Sequence, residues 1–219
     1  MKITKYAQSC VLLETKDKKI LIDPGYLLLD DVTLKSWLDV DIILVTHKHG
    51  DHCDDKSINE IMKNKKVKLY TTNEVVKNHP DISPTKIIKQ GDIIKLADIK
   101  IEVVKAVHGY VPLLKGRSVI ENVGYIVDDG ENRAYQTSDT LCFENDYKCD
   151  ILFIPVCNHG LVMGAFDASL FAKETDAKLV IPIHYDNPRF PTNLKDVEKE
   201  FKKQELKYKF LKTKESIDV

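Results

Sequence analysis

Residues 41–52 read DIILVTHKHGDH, and the order of residue types in this stretch decides how the rest of the chain is read. DIILV is an apolar run short enough for a strand and apolar enough to be buried on both faces. Directly after it, three imidazoles (His47, His49, His52) and one carboxylate (Asp51) fall within six residues. Grouping polar side chains that are costly to bury behind an apolar strand has little packing purpose. A loop leaving such a strand can turn alternate side chains to one side, so His47 and His49 suit one metal ion while Asp51 and His52 turn toward another. Imidazole nitrogen and carboxylate oxygen serve zinc, iron or manganese.

Four ligands do not hold two ions, so more His or carboxylate is expected at other strand ends. His108 follows IEVVKAV, Asp139 follows RAYQT within TSDT, and His184 follows KLVIPI within PIHYD. Each stands just past a strand, where connecting loops carry side chains to one rim of a sheet. His159, in CNHGLVMG after ILFIPV, fits the same rim, as a substrate contact and proton donor or as a packing residue. Tyr185 is a candidate donor that steadies the loop of His184. Cys53 is expected as a buried loop residue rather than a ligand. His79, before Pro80, is expected on the surface without companions.

Working outward, SCVLLET and KKILID form strands on either side of a charged turn, the second ending at Pro24-Gly25. Asp54 or Asp55 caps a helix through Ile58, Ile61 and Met62. VKLYT, a short helix over NEVVKNH, and strands TKIIK, DIIKL and DIKIEVVKAV follow. VGYIVDD, a turn at residues 129–132, RAYQT and ILFIPV lead to a helix through Ala168, Leu170, Phe171 and Ala172. KLVIPI, a helix from about Thr192 and a last strand LKYKFLK complete the chain.

The 219 residues suit one domain, residues 1–219, and 43% hydrophobic content supports a sizeable core. A net charge of -1 provides no overall positive field for nucleic acid or an anionic membrane surface. MKITKYAQSC has no apolar signal-peptide core, and no run approaches a membrane span. Cys10, Cys53, Cys142, Cys149 and Cys157 are odd in number and scattered, and read as reduced thiols in the cytoplasm.

KKILIDPG, THKHGDH, His108-Gly109, TSDT and IPIHY together resemble motifs of the metallo-β-lactamase superfamily, most nearly the compact branch of ascorbate-6-phosphate lactonase and related metal-dependent hydrolases. The resemblance spans nearly the whole chain and implies an α/β (α+β) fold, a four-layer αββα sandwich of two similar halves. It implies two divalent metal ions, zinc first and manganese or iron as alternatives: one on His47, His49 and His108, the other on Asp51, His52 and His184, with Asp139 bridging. Two departures stand out. Ser138 replaces a motif Gly, and Gln8 stands where the branch often has His, so that branch's substrate is not carried over. Asp139 argues against antibiotic hydrolysis, since the best-known β-lactamases of the superfamily lack it.

Two ions sharing a water supply hydroxide near neutral pH and polarise the scissile bond, so no Ser or Cys nucleophile is required. Asp51 is a candidate for proton transfer, beside the bridging Asp139. The expected reaction is hydrolysis of a small ester, lactone or phosphoester. The alternatives are a phosphodiesterase or nuclease of the same fold, an iron-binding redox protein, or a metal-binding protein without catalysis. The chain has three arginines, and Arg117 and Arg189 lie in loops after His108 and His184. A guanidinium fork suits carboxylate or phosphate, so these two, with Lys115, are candidates to bind an anionic substrate. The expected partner is a small molecule, without membrane and without nucleic acid; a homo-oligomer is left open.

Overall fold

Short strands that alternate with loops and a few helices build two sheets. The computed structural model describes residues 1–112 and 118–219. These form two compact units, Met1–Lys89 with Lys212–Val219, and Gln90–Leu211.

In the first unit, β1 (Lys2–Lys5), β2 (Val11–Thr15) and β3 (Lys18–Ile22) make an antiparallel meander. Thr15 pairs with Lys18, and the two residues between them, Lys16 (φ 47) and Asp17 (φ 57), are both left-handed. That is the turn whose twist matches a two-residue hairpin. From β3 the chain crosses through α1 (Asp31–Trp37) to β4 (Ile42–Leu44), through α2 (Asp55–Ile61) to β5 (Lys68–Thr71), and through α3 (Asn73–Asn78) to β6 (Lys86–Ile87). These four strands are parallel. Asp54, rather than Asp55, caps α2 by accepting from the Ser57 amide at 2.9 Å.

In the second unit, β7 (Ile93–Leu96), β8 (Ile99–Lys105), β9 (Val123–Asp128) and β10 (Arg133–Gln136) are antiparallel. Then β11 (Ile151–Pro155) and β12 (Leu179–Ile183), linked by α4 (Ala165–Glu174), run parallel to β10. Helix α5 (Leu194–Lys203) follows, capped by Asn193, and β13 (Glu215–Asp218) returns to pair with β1 in the first unit's sheet. The strand orders are β13-β1-β2-β3-β4-β5-β6 and β12-β11-β10-β9-β8-β7.

Each sheet thus joins an antiparallel meander to a parallel set. In the first, β1, β3 and β4 share one direction; in the second, β8, β10, β11 and β12 do. Every motif singled out in the sequence follows the C-terminal end of one of these strands, the edge where open α/β sheets place their ligands.

Burial follows the pleat. Leu12, Leu21, Ile43 and Leu69 pack with Trp37, Ile58, Ile61 and Val75 from the helices. In the second unit Ile126, Leu152, Ile154 and Val180 pack with Phe171, Ala172 and Phe201. Two expectations need correction. LKYKFLK is not a strand: only Tyr208 bridges to Val180, and the final strand is the polar edge segment β13. Helix α1 was also not expected, because its buried face consists of Trp37 and the polar Thr33, with Leu34 partly buried beside them.

Phe171 is fully buried, edge-on to Phe143 at 5.4 Å, and holds α4 on its sheet. Phe171→Ala should lower the unfolding free energy by about 3–5 kcal/mol in urea titrations; a loss below about 1 kcal/mol would show that this packing does not anchor the unit.

Candidate metal sites

The first unit gathers His47, His49, Asp51 and His52 on the loop after β4. His47 and His52 are buried, and His49 and Asp51 half-buried. His47 Nε2 stands 3.1 Å from His49 Nδ1, with the rings at 79°. Two donors on one ion bound at about 2.0–2.1 Å stand about 3.3 Å apart in a tetrahedron, so this separation fits a shared ion. The opposite nitrogen of each buried imidazole is already engaged. His47 Nδ1 lies 3.1 Å from Thr46 Oγ1, and His52 Nδ1 lies 2.8 Å from Asp23 Oδ2. Both rings therefore offer Nε2, the arrangement in which a carboxylate or hydroxyl behind a ligand fixes its tautomer.

Asp23 is the residue that sequence reading passed over, although it lies inside the quoted KKILIDPG. Wholly buried, it also accepts from the Thr46 amide and Thr46 Oγ1, both at 2.8 Å. Burial raises its carboxyl pKa, opposed by the His52 and Thr46 bonds. Gly25 is required by close approach: a Cβ there would come within 1.9 Å of the Asp51 carbonyl oxygen. Gln8, the departure from the related pattern, donates from Nε2 to Asp51 Oδ2 at 3.2 Å. Residue 8 is thus tied to a candidate ligand.

The second unit gathers His108, Asp139 and His184. Asp139 Oδ2 lies 3.0 Å from His184 Nε2 and 3.8 Å from His108 Nε2. His108 Nδ1 donates to the Gly109 carbonyl at 2.7 Å; a carbonyl only accepts, so Nε2 is left to face the carboxylate. The TSDT loop is held from several directions. Asn122 donates to the Asp139 carbonyl at 2.7 Å and receives Ser138 Oγ at 2.8 Å, which holds Ser138 at φ 66 where the motif has Gly. Thr140 Oγ1 accepts the Val107 amide at 2.9 Å, binding the His108 loop to the Asp139 loop. Tyr185 donates to the Leu211 carbonyl, as its proposed steadying role requires.

His159 stands edge-on to His184, ring centres 5.4 Å apart, and to Phe190 at 5.1 Å. Its Nδ1 accepts the Leu161 amide at 3.2 Å. With Arg189, Phe190, Asn158 and Thr192 it lines a cleft of about 440 Å³. Arg117 and Lys115 lie outside the described residues. Cys157, read from sequence as one thiol among five, groups with His159 and His184, their donor atoms within 4.8 Å of one another. Burial pushes the Cys157 thiol up, but hydrogen bonds from His159 and His184 outweigh it and bring its pKa down to about 6. At Cys53, by contrast, burial together with nearby carboxylates drives the pKa far above the usual thiol value, in keeping with a packing role.

His79 is a correction. It is not a companionless surface residue: its Nδ1 meets Asp55 Oδ1 and its Nε2 meets the Lys48 carbonyl.

Because Asp23 sets the tautomer of His52 from behind, Asp23→Ala should weaken metal binding about 10- to 100-fold in chelator competition. Unchanged affinity in folded protein would remove that role.

Residues 2–184 match the family described as the beta-lactamase superfamily domain. A UPF0173 metal-dependent hydrolase of Anoxybacillus flavithermus is 30% identical over 217 residues, covering 90% of this chain and 90% of its own. Among solved structures, a candidate metal-dependent hydrolase of Parabacteroides distasonis superposes with a TM-score of 0.78 at 26% identity, over 95% of this chain and 91% of its own. Igni18, a metallo hydrolase of the archaeon Ignicoccus hospitalis, reaches 0.81 at 22% identity over 99% and 97%, a likeness of fold. Both the motif set and the mixed α/β architecture with its two sheets agree with these matches, and the chain belongs to the beta-lactamase superfamily, among its metal-dependent hydrolases.

Proposed function

We propose that this chain is a dinuclear metal-dependent hydrolase acting on a small anionic ester, lactone or phosphoester. The observation that carries the dinuclear reading is the position of Asp139 Oδ2, a single carboxylate oxygen near His184 Nε2 at 3.0 Å and His108 Nε2 at 3.8 Å. In this reading His47, His49 and His108 hold one ion, Asp51, His52 and His184 the other, and Asp139 is shared. Ligands made only of imidazole and carboxylate suit zinc, with manganese or iron as alternatives. Two such ions supply a Lewis acid and an activated water at neutral pH.

The chain's own groups do the rest. Asp51, its carboxylate oriented by Gln8, is the group to accept and pass a proton. Arg189, lining one cleft with His159 and Phe190, binds the part of the substrate that does not react. The guanidinium takes a carboxylate or phosphate, and His159 contacts the leaving group. Phosphodiester cleavage by the same ligands is the second reading, tested in the same screen. A cytoplasmic location goes with the proposal, supported by five free cysteines. Among the described residues no helix is long and apolar enough to cross a membrane.

Elemental analysis of metal-replete protein should return about two ions per chain, and Asp139→Ala should lower both metal content and turnover, the latter by at least about a hundredfold. One ion or none in wild type, or a near-normal Asp139→Ala enzyme, would sink the dinuclear assignment. A screen of lactones, carboxylic esters, thioesters and phosphodiesters identifies the substrate class. On the best anionic substrate Arg189→Ala should raise KM while leaving neutral analogues little changed; equal losses on both would remove Arg189 from substrate binding.

A further inference from the structure

The residue between the first two candidate ligands, Lys48, is gripped at both ends by one short stretch of chain. Its Nζ meets Glu74 Oε1 at 2.7 Å, and its carbonyl accepts from His79 Nε2 at 2.7 Å. Glu74 lies in the first turn of α3, and His79 is that helix's C-cap. The side chains of Lys48, Glu74 and His79 are 14%, 12% and 14% exposed, so water competes weakly for these contacts. The other His79 nitrogen, Nδ1, lies 2.5 Å from Asp55 Oδ1, and Asp55 opens α2 directly after the ligand loop. The loop of residues 47–54 is therefore tied through His79 to the helix that follows it, and through Glu74 and His79 to α3.

Cys53, Asp55 and His79 also place their donor atoms within 4.8 Å of one another. Both His79 nitrogens are committed, however, so His79 acts in this group as a fastening and not as a further metal ligand.

We infer that His79 is a positioning residue for metal binding: by fixing the carbonyl of Lys48 it sets the backbone between His47 and His49, and with it the approach of their imidazoles. The carbonyl lies in the rigid peptide plane that joins Lys48 to His49, so holding that oxygen limits rotation at ψ of Lys48 and φ of His49, the bonds that set the His49 side chain relative to that of His47. Ligands held in place before the ion arrives bind it more tightly, because less ordering remains to be done. The inference rests on the reading of His47 and His49 as metal ligands.

The chemistry of His79 allows a test that separates positioning from general packing. A Gln side chain places its amide nitrogen near the imidazole Nε2 position, whereas Asn places its own near Nδ1. His79→Gln therefore keeps a donor for the Lys48 carbonyl and gives up Asp55, while His79→Asn keeps a donor for Asp55 and gives up Lys48. Metal-free protein is titrated with Co²⁺ against a chelator, with the visible absorption of the bound ion and the thermal unfolding of the metal-free protein recorded alongside. Positioning through Lys48 predicts that His79→Asn binds Co²⁺ about 10- to 100-fold more weakly with an altered absorption band, and that His79→Gln stays within about threefold of wild type with the wild-type band. If both variants lose affinity only in proportion to metal-free stability, or if His79→Asn binds like wild type, the inference is overturned while the metal site stands. If wild type binds no Co²⁺, the ligand assignment itself fails and the inference with it.

Discussion

The Asp23 carboxylate is wholly buried at the end of β3, and the site edge of the first unit depends on where its two oxygens point. It receives the amide and hydroxyl of Thr46, at the end of the neighbouring β4, and the Nδ1 side of His52, six residues further on. A buried carboxylate is stable only when its oxygens are satisfied, so these partners are not interchangeable with water. The parallel pairing of β3 with β4 ends at Ile22 with Leu44, which brings Asp23 within reach of Thr46 just past the end of β4, and the loop must then fold back to return His52. Gly25 lets that return happen, because the DPG segment passes against the Asp51 carbonyl with no room for a side chain.

The second unit solves the same problem with neutral groups. Asn122 spans the Ser138 hydroxyl and the Asp139 carbonyl, and Thr140 couples the β8 and β10 loops. Gly109 matches Gly25: a Cβ there would come within 2.4 Å of the Gly160 carbonyl oxygen. This close contact brings the loop of His159 up to the loop of His108. In both units, then, a glycine next to a candidate ligand loop is set by the approach of another backbone, and polar side chains behind the candidate ligands fix their orientation.

This division explains what could be read from the sequence. Side chains with metal chemistry after apolar strands are visible as composition: THKHGDH, Asp139 and His184 need no knowledge of contacts. The parallel strands are visible for the same reason, since IIL and ILFIP have no polar face to hide. What holds the candidate ligands is visible only in three dimensions. Asp23 and His52 are 29 positions apart, Asn122 and Ser138 16, and His79 and Lys48 31. Nothing local distinguishes His79 from a surface histidine, because both its partners come from other elements. Strand β13 was hidden for a related reason: ESID lacks apolar content, and its place is set by pairing with β1 at an edge.

The backbone itself carries the least legible feature. Gln8, Asp23, Ser138 and His184 follow the C-terminal ends of β1, β3, β10 and β12, and all four have φ between 53 and 66. A residue with a Cβ in this region costs on the order of 1 kcal/mol or more, and such residues persist where the surroundings over-determine them. A strand left to itself points successive side chains to opposite faces, which would send half of these groups away from the edge. One left-handed residue breaks the pleat as the strand ends and redirects the side chains there. Asp23 and His184 carry functional groups on the turned residue itself, whereas Ser138 turns the chain just before Asp139. Glycine would adopt the conformation without strain, but it has no side chain to contribute at 8, 23 or 184. At 138 the hydroxyl bond to Asn122 takes the place of glycine's freedom, so the local cost follows from needing both the turn and the side chain at one position.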